Sequence, residues 1–540
     1  MYPLVSAGHD RPVTDLGLSP VTMRALLVQA ESPPTYWGYQ YSLPYIRKSA
    51  TLPPLGLATL AALLPTSWEL RIHDLNVEPL SDDAIRWADA VLVSGMLVQS
   101  ASMQETLARA RRLGKRAVAG GPGPTTSPDA YPEAHHVFLG EAEDRLSTLV
   151  RALESPDQPA PRVLSPAGEG RPDVTRSPVP RFDLVDLSRY ATLAIQVSRG
   201  CPFSCEFCDI IEVFGRVPRV KSAEQVVAEL ESLRALGGRG PLFLVDDNFI
   251  GNRKAVARIL PRIAAWQREH GRPFDLLTEA SLDLAGEQEL VASMIDAGFS
   301  AVFMGIETPS TEALLETGKK QNLRMDQAEA VERLTHAGLE VFAGFIVGFD
   351  ADNEDIFDRQ REFISRLPIA RAMVGILSAL PGTALWRRLD REGRLRRDAT
   401  GDQFGRPNFA PAMDEAALLR GYRRLLAELY EPSAYYARCA RFVAEAKMLS
   451  APLRPGSLMA LARAVWGIGI AGPRRRHFWK LLAGSLRRGL GGIPRAVTLA
   501  VLGEHMVRYT NEVVLPRIDE TLAGLPAALP ASEPRRAVAS

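Results

Sequence analysis

The sequence predicts an α/β chain with an N-terminal Rossmann-like domain, a partial (β/α)6 barrel and a helical C-terminal region. Three observations support this. Short β-branched, apolar segments alternate with helix-like stretches in two separate series, as in mostly parallel sheets covered by helices. A stretch rich in Pro, Ser, Gly and Arg divides the series. The chain has 540 residues, 46% hydrophobic and 24% charged, which is too long for one ordinary core and too apolar for a disordered chain.

Residues 1–22 lack a hydrophobic period and read as a flexible extension. The first series spans 23–155, with strands expected at Arg24–Ala30, Trp68–Asp74, Ala90–Ser94, Arg116–Ala119 and His136–Leu139. Helix-like Leu55–Leu64 and Ser102–Leu113 lie between them. Residues 156–188 suit a linker. The second series, 189–390, places strands at Leu193–Ser198, Leu242–Asp246, Asp275–Glu279, Ala301–Ile306, Val341–Val347 and Met373–Leu377. Ser222 and Gln225 form a capping-box start for one of its helices. Six β/α units fit an incomplete parallel barrel, whose chemistry belongs at the C-terminal strand ends. Residues 391–540 turn helical, as in Glu415–Leu429 and Ser433–Lys447.

Composition excludes several classes. Four cysteines in 540 residues cannot staple a secreted scaffold, and the first residues lack a secretory-signal pattern, so a reducing cytoplasm is expected. No run of about 18 apolar residues suits a membrane span. The net charge of +1 is an average over unlike parts. Ala446–Gly503 contains ten Lys and Arg and no Asp or Glu, leaving −9 for the rest. Within that segment Phe478, Leu482, Leu486 and Leu490 recur every four residues beside Trp479, with Arg476, Lys480 and Arg487 on another face. This pattern fits an interfacial helix on an anionic membrane or a basic helix docked on the barrel. No base-stacking module accompanies the charge, so nucleic acid is not expected.

Three cysteines, Cys201, Cys205 and Cys208, fall within SRGCPFSCEFCD immediately after the first barrel strand. A zinc site would need a fourth Cys or His, and the local loop has none. Three thiolates can hold three irons of a four-iron cluster and leave the fourth open to a small ligand.

This C-x3-C-x-φ-C spacing, with Phe207 before the last cysteine, resembles the radical S-adenosylmethionine (SAM) superfamily. The resemblance implies a 4Fe-4S cluster whose open iron binds SAM, and a 5′-deoxyadenosyl radical that abstracts hydrogen from unactivated carbon. VDDNF, TEAS, GIET, GFIVGFD and ALPGT resemble its other strand ends. It implies that Phe207, Asp246, Asp247, Glu279 and Glu307 face SAM, where carboxylates can bind its ammonium and ribose hydroxyls. Taken singly, each carboxylate is equally an ordinary strand-end group.

The first domain resembles the cobalamin-binding domain of class B radical SAM enzymes. Ser94, Gly120, Gly121 and Glu141, just beyond its third, fourth and fifth strands, are implied to cradle the nucleotide tail of cobalamin. ESPPTYWGY, after the first strand, lacks Asp-x-His-x-x-Gly, and His73 precedes Asp74 in the wrong place. Cobalamin is therefore expected without a protein His ligand. From Arg24 to Lys447 the chain resembles the group that includes the hopanoid C-2 methylases, most closely in CPFSCEFCDI, VDDNFIGN and GYRRLLAELYEPSAYY. The resemblance implies methylation of an unactivated carbon, with a lipid or isoprenoid small-molecule substrate and an electron donor such as flavodoxin or ferredoxin. A radical cyclase or rearrangement enzyme, or a non-catalytic iron–sulfur or cobalamin-binding regulator, are the alternatives. Lone Cys439 reads as a buried core residue. It cannot build a second cluster of the three-cysteine type, which argues against the methylthiotransferases.

Overall fold

The computed structural model describes residues 22–155, 157–165, 170–397, 399–447, 455–487, 489 and 491–525. The extension expected over 1–22 falls almost wholly outside these residues, as do Arg454, Arg488 and Leu490 of the basic segment.

The first sheet consists of β1 (Arg24–Gln29), β2 (Glu69–Asp74), β3 (Ala90–Ser94), β4 (Arg116–Gly120), β5 (His136–Phe138) and β6 (Val163–Leu164), all parallel in the order 2-1-3-4-5-6. Ala25 to Val28 of β1 are buried, as expected of a strand covered on both faces. The order reverses between β1 and β3, so the chain leaves these neighbours in opposite directions and opens a crevice beyond their C-terminal ends. One expectation changes. The stretch read as a linker, 156–188, supplies β6 at the sheet edge and buries Leu164, Val174 and Phe182.

The second sheet runs β7 (Leu193–Ile195), β10 (Gly240–Leu244), β11 (Phe274–Glu279), β12 (Phe299–Glu307), β13 (Glu340–Val347) and β14 (Ala372–Ile376). Neighbours pair in chain order, parallel throughout, and β14 does not pair with β7, so this is an open six-stranded barrel. A short antiparallel hairpin, β8 (Ser198–Arg199) with β9 (Arg219–Val220), follows β7. Leu242, Leu244, Val302 and Met304 pack outward against the helices, where each fully buried side chain contributes about 1.5–3 kcal/mol. The Ser222 capping box forms: Ser222 Oγ accepts from Gln225 N–H (3.2 Å) and Gln225 Oε1 from Ser222 N–H (2.9 Å).

The C-terminal helices share this core. Tyr422 donates to the Val374 carbonyl at 2.7 Å, and buried Arg438 donates to the carbonyls of Ile369 and Leu429. Cys439 is fully buried there. The segment after β1 also joins the barrel. Trp37 lies among Phe303 (ring centroids 4.9 Å apart), Phe342 (5.9 Å) and Phe243 (6.3 Å), closing the barrel interior from below. Its neighbours bond the C-terminal helices: Tyr509 donates to the Pro34 carbonyl, and Tyr36 meets Thr510. The position that would carry Asp-x-His-x-x-Gly is thus used as an aromatic clamp between domains.

Candidate active site at the barrel mouth

The cysteine loop leaves β8 through Gly200, whose φ of +94° places it where L side chains are strained. A Cβ there would also lie 2.8 Å from the Gly215 carbonyl. Gly200 N–H donates to Asp247 (2.8 Å) and Cys201 N–H to Gly215 (3.2 Å), fixing the entry. Further along, Glu206 N–H donates to the Thr317 carbonyl and Leu385 N–H to the Glu206 carbonyl, both at 2.9 Å. Arg388 joins the Glu206 carboxylate (2.6 Å) to Asp350 (2.8 Å) behind the loop. The thiols are therefore positioned by backbone bonds to several barrel elements. Cys205 is buried, Cys201 and Cys208 are half-buried, and burial pushes the last two thiols above the ordinary thiol range.

Two amides unnoticed in the sequence face these sulfurs. Gln321 Nε2 lies 3.4 Å from Cys205 Sγ and Asn248 Nδ2 3.9 Å from Cys201 Sγ. Asn248 stands in VDDNF, so the motif contained a signal for it. Gln321, in KKQN, had none. Lys319 was also missed. It pairs with Glu307 and lies 5.7 Å from the Phe207 ring. Glu307 has φ +67° at a register shift in β12, a strained geometry for a side-chain-bearing residue.

The predicted carboxylates separate into different roles. Asp247 and Glu279 lie near one another on the inner face. Burial raises Asp247 to about 7, with the charge of Asp246 adding to the rise. Burial likewise raises Glu279 to about 8, with Asp247 and Asp246 adding. The Glu279 carboxyl has no hydrogen-bond or ion-pair partner among the described residues. Such a half-buried pair of acids suits a positively charged group. Asp246 departs from the expectation that it faces a ligand: Oδ1 accepts from Val197 N–H (2.8 Å) and Oδ2 from Ser198 Oγ (2.7 Å), pinning the β7–β8 connection. Glu307 is committed to Lys319 and Phe207 packs 6.1 Å from Phe349.

At the first sheet, Ser94 and Gly121 touch: a Cβ on Gly121 (φ +97°) would lie 2.7 Å from Ser94 Oγ. A Cβ on Gly120 would make only an ordinary contact, 3.9 Å from the Phe138 carbonyl oxygen. Buried Gln99, missed in the sequence, braces the crevice by donating to the Ala30 carbonyl (2.6 Å) and accepting from Met96 N–H (2.9 Å). Glu141 is a second correction. Rather than facing a nucleotide tail, it bonds Arg199 (2.9 Å) and Arg219 (2.8 Å) of the β8–β9 hairpin. His73 bonds the Glu78 carbonyl, while His135 and His136 lie at the opposite, N-terminal ends of β4 and β5.

Comparison with known proteins matches residues 195–364 to the radical SAM superfamily and 48–150 to the B12 binding domain; residues 383–517 match a domain of unknown function (DUF4070). The hopanoid C-2 methylase of Rhodopseudomonas palustris is 34% identical over 501 residues, which are 91% of this chain and 94% of that protein. The chain belongs to the cobalamin-binding radical SAM family. An uncharacterized methyltransferase of Synechocystis sp. is 40% identical over 509 residues, 93% of this chain and 94% of its own length. Two solved structures share the fold of this family member. OxsB with aqua-cobalamin and SAM bound gives a TM-score of 0.58 at 14% identity, covering 93% of this chain and 83% of that one. TsrM from Kitasatospora setae, with tryptophan and a SAM analogue, gives 0.57 at 17% identity, covering 76% and 89%. The family's cofactors are a 4Fe-4S cluster, SAM and cobalamin.

The residues present fit these groups. Among the described residues no three His, Cys, Asp or Glu side chains form a group that could hold a metal ion on its own. A four-iron cluster asks something else, one thiolate for each of three separate irons. The unpaired Glu279 and its neighbour Asp247 suit a cationic ligand beside it. The crevice at β1 and β3, with half-buried Gly120 and exposed Met96 beside it, lies where sheets of this topology bind their ligands, and the glycines there let a ligand approach the backbone.

Proposed function

We propose that this enzyme methylates an unactivated carbon of a lipid or isoprenoid, hopanoid-like small molecule. One observation carries the reading. The crevice-bearing edge of the first sheet is fastened, through Glu141 and Glu143, to Arg199, two residues before Cys201. This tie supports a reading in which both cofactor sites face a common substrate at the barrel mouth. Similarity to the hopanoid C-2 methylase over most of both chains, at 34% identity, supports the lipid class.

When bound, the cluster and SAM supply a carbon radical and cobalamin supplies the methyl group. The chain's own residues do the rest. Cys201, Cys205 and Cys208 hold the cluster, with Gln321 and Asn248 directing amide N–H groups at two of the sulfurs. Asp247 and Glu279 seat the cationic part of SAM, and Phe207 packs beside the Lys319–Glu307 pair. Ser94, Gly120 and Gly121 shape the crevice for cobalamin. Trp37, Phe303 and Phe342 close the barrel's base against water, which protects a reactive radical. A low-potential donor of flavodoxin or ferredoxin type supplies electrons. Four free cysteines suit a reducing, cytoplasmic setting. No helix among the described residues is long and apolar enough to cross a membrane, and we assign peripheral membrane contact to the C-terminal region. The working division keeps 23–155 for cobalamin and 189–390 for the radical chemistry.

Anaerobic turnover with a lipid extract tests the reading. Methylated product together with S-adenosylhomocysteine is expected. 5′-Deoxyadenosine without S-adenosylhomocysteine would assign a cyclase or rearrangement instead, and no reductive SAM cleavage would leave a regulator.

A further inference from the structure

Eleven large apolar side chains are exposed among the described residues, and six of them, Leu458, Met459, Trp466, Ile470, Trp479 and Leu486, fall within 29 residues. These belong to two helices. One runs Pro455–Ala464 and continues through a wide turn at Val465–Ile470; the other is Arg475–Leu486. They meet closely at Gly469, where a Cβ would lie 3.0 Å from Phe478 and 3.4 Å from Trp479, and Trp479 Nε1 donates to the Gly469 carbonyl at 2.9 Å. The contact brings Trp466, Ile470 and Trp479 to one side of the hairpin. Trp466 is 67% exposed and Ile470 51%.

The stripe expected from the sequence divides: Leu486 is exposed, Leu482 is half-buried, Leu490 lies outside the described residues, and Phe478 turns inward. Phe478 is buried against the hairpin and anchors it, while the residue after it, Trp479, projects outward. Around this apolar crown Arg475, Arg476, Lys480 and Arg487 are exposed, and their side chains form no ion pair or hydrogen bond among the described residues. By contrast Arg474 is paired with Glu504 and Arg495 with Glu340. Four basic side chains without a partner among the described residues thus lie on or just after the helix that carries Trp479.

We infer that this hairpin is a membrane-docking face, and that its occupant is the surface of an anionic phospholipid bilayer. Tryptophan and aliphatic side chains stay at the headgroup boundary, and flanking cations meet lipid phosphates. A segment without a single acidic residue from Ala446 to Gly503 complements that charge. The inference deepens the lipid-substrate reading: a hydrocarbon-rich substrate stored in the bilayer would be collected where it resides. It needs no catalysis, so it can fail while methylation stands, or stand while methylation fails.

The test is flotation of the full chain with vesicles of phosphatidylcholine alone and of equimolar phosphatidylcholine and phosphatidylglycerol. Binding to the anionic vesicles is expected, with weakening at about 0.5 M salt. Arg475→Gln/Arg476→Gln/Lys480→Gln is expected to reduce the affinity at least about tenfold. Trp466→Ala/Ile470→Ala is expected to reduce it too and to diminish a vesicle-induced blue shift in fluorescence, which Trp479 continues to report. Both sets alter exposed side chains, so unchanged circular dichroism is expected. No flotation of the unsubstituted protein, or flotation indifferent to both sets, overturns the proposal. Equal affinity for duplex DNA would make the face a general polyanion binder and overturn it as well.

Discussion

Arg199 and Glu141 are joined at 2.9 Å across the boundary between the two sheets, with side chains only 12% and 3% exposed. Glu143 bonds the same guanidinium at 2.8 Å. Burial alone would disfavour ionised Glu143, but Arg199 holds its carboxyl below the usual range. Arg199 lies on the short hairpin from which the cysteine loop departs, so this ion cluster sets the distance between the cobalamin crevice and the thiols. Removing one partner of a buried pair costs about 3–5 kcal/mol, because the other charge is stranded. Arg199→Gln is expected to lower methyl transfer more than it lowers 5′-deoxyadenosine formation. Parallel quantification of both products by mass spectrometry checks it, and equal losses would mean that the pair supports folding alone.

Each of Cys201→Ala, Cys205→Ala and Cys208→Ala is expected to lose the visible absorbance of a reconstituted iron–sulfur cluster and all reductive cleavage of SAM. Cys439→Ala is expected to keep both. Its thiol is fully buried, and its removal should cost about 1 kcal/mol of stability. Iron analysis beside a urea titration separates the two kinds of cysteine.

Glu279 predicts a pH dependence. Its carboxyl is raised from 4.5 to about 8 in the fold, so between these values the folded state binds more protons than the unfolded one. Stability of the SAM-free protein from this group therefore falls as pH rises through that window and levels off above it. Glu279→Gln is expected to flatten the dependence and raise Tm at pH about 8 by a few degrees. The same substitution should weaken SAM binding. Calorimetry at several pH values checks the first, and a steeper loss of stability in the variant would refute the assignment.

Trp37→Ala is expected to destabilise the fold by about 2–4 kcal/mol, toward the lower end of the range for a buried aromatic because Trp37 keeps some exposure. Trp37→Phe, which removes less volume and keeps an aromatic ring, should cost less than the alanine change. Chemical denaturation of both variants measures the difference. A matching rise in KM for an apolar substrate, larger in the alanine variant, would show that the aromatic base meets the substrate.

Much of the site was legible because local chemistry determines it. Three cysteines at fixed spacing after a strand leave little freedom, and every barrel strand appears within a few residues of its expected place. Asp246 and Asp247 show where this ends. Successive strand residues point to opposite faces, but Leu242 to Val245 is a continuous apolar run, buried on both faces through Leu244, so the pattern conceals which aspartate faces inward. Gln321 and Lys319 lie beyond β12, more than a hundred residues from the cysteines they approach, and no periodicity reports such a distance.

The sequence by itself determined the two parallel-sheet units, the three-thiol loop and the uneven charge, since these follow from residue type, spacing and period. Only the tertiary structure decided that Glu141 ties the domains together, that the segment after β1 becomes an aromatic clamp, and that Trp479 rather than Phe478 faces outward. Each of these depends on how separately formed elements dock. Burial and pairing across a domain boundary are properties of the assembled surfaces, and local periodicity does not encode them.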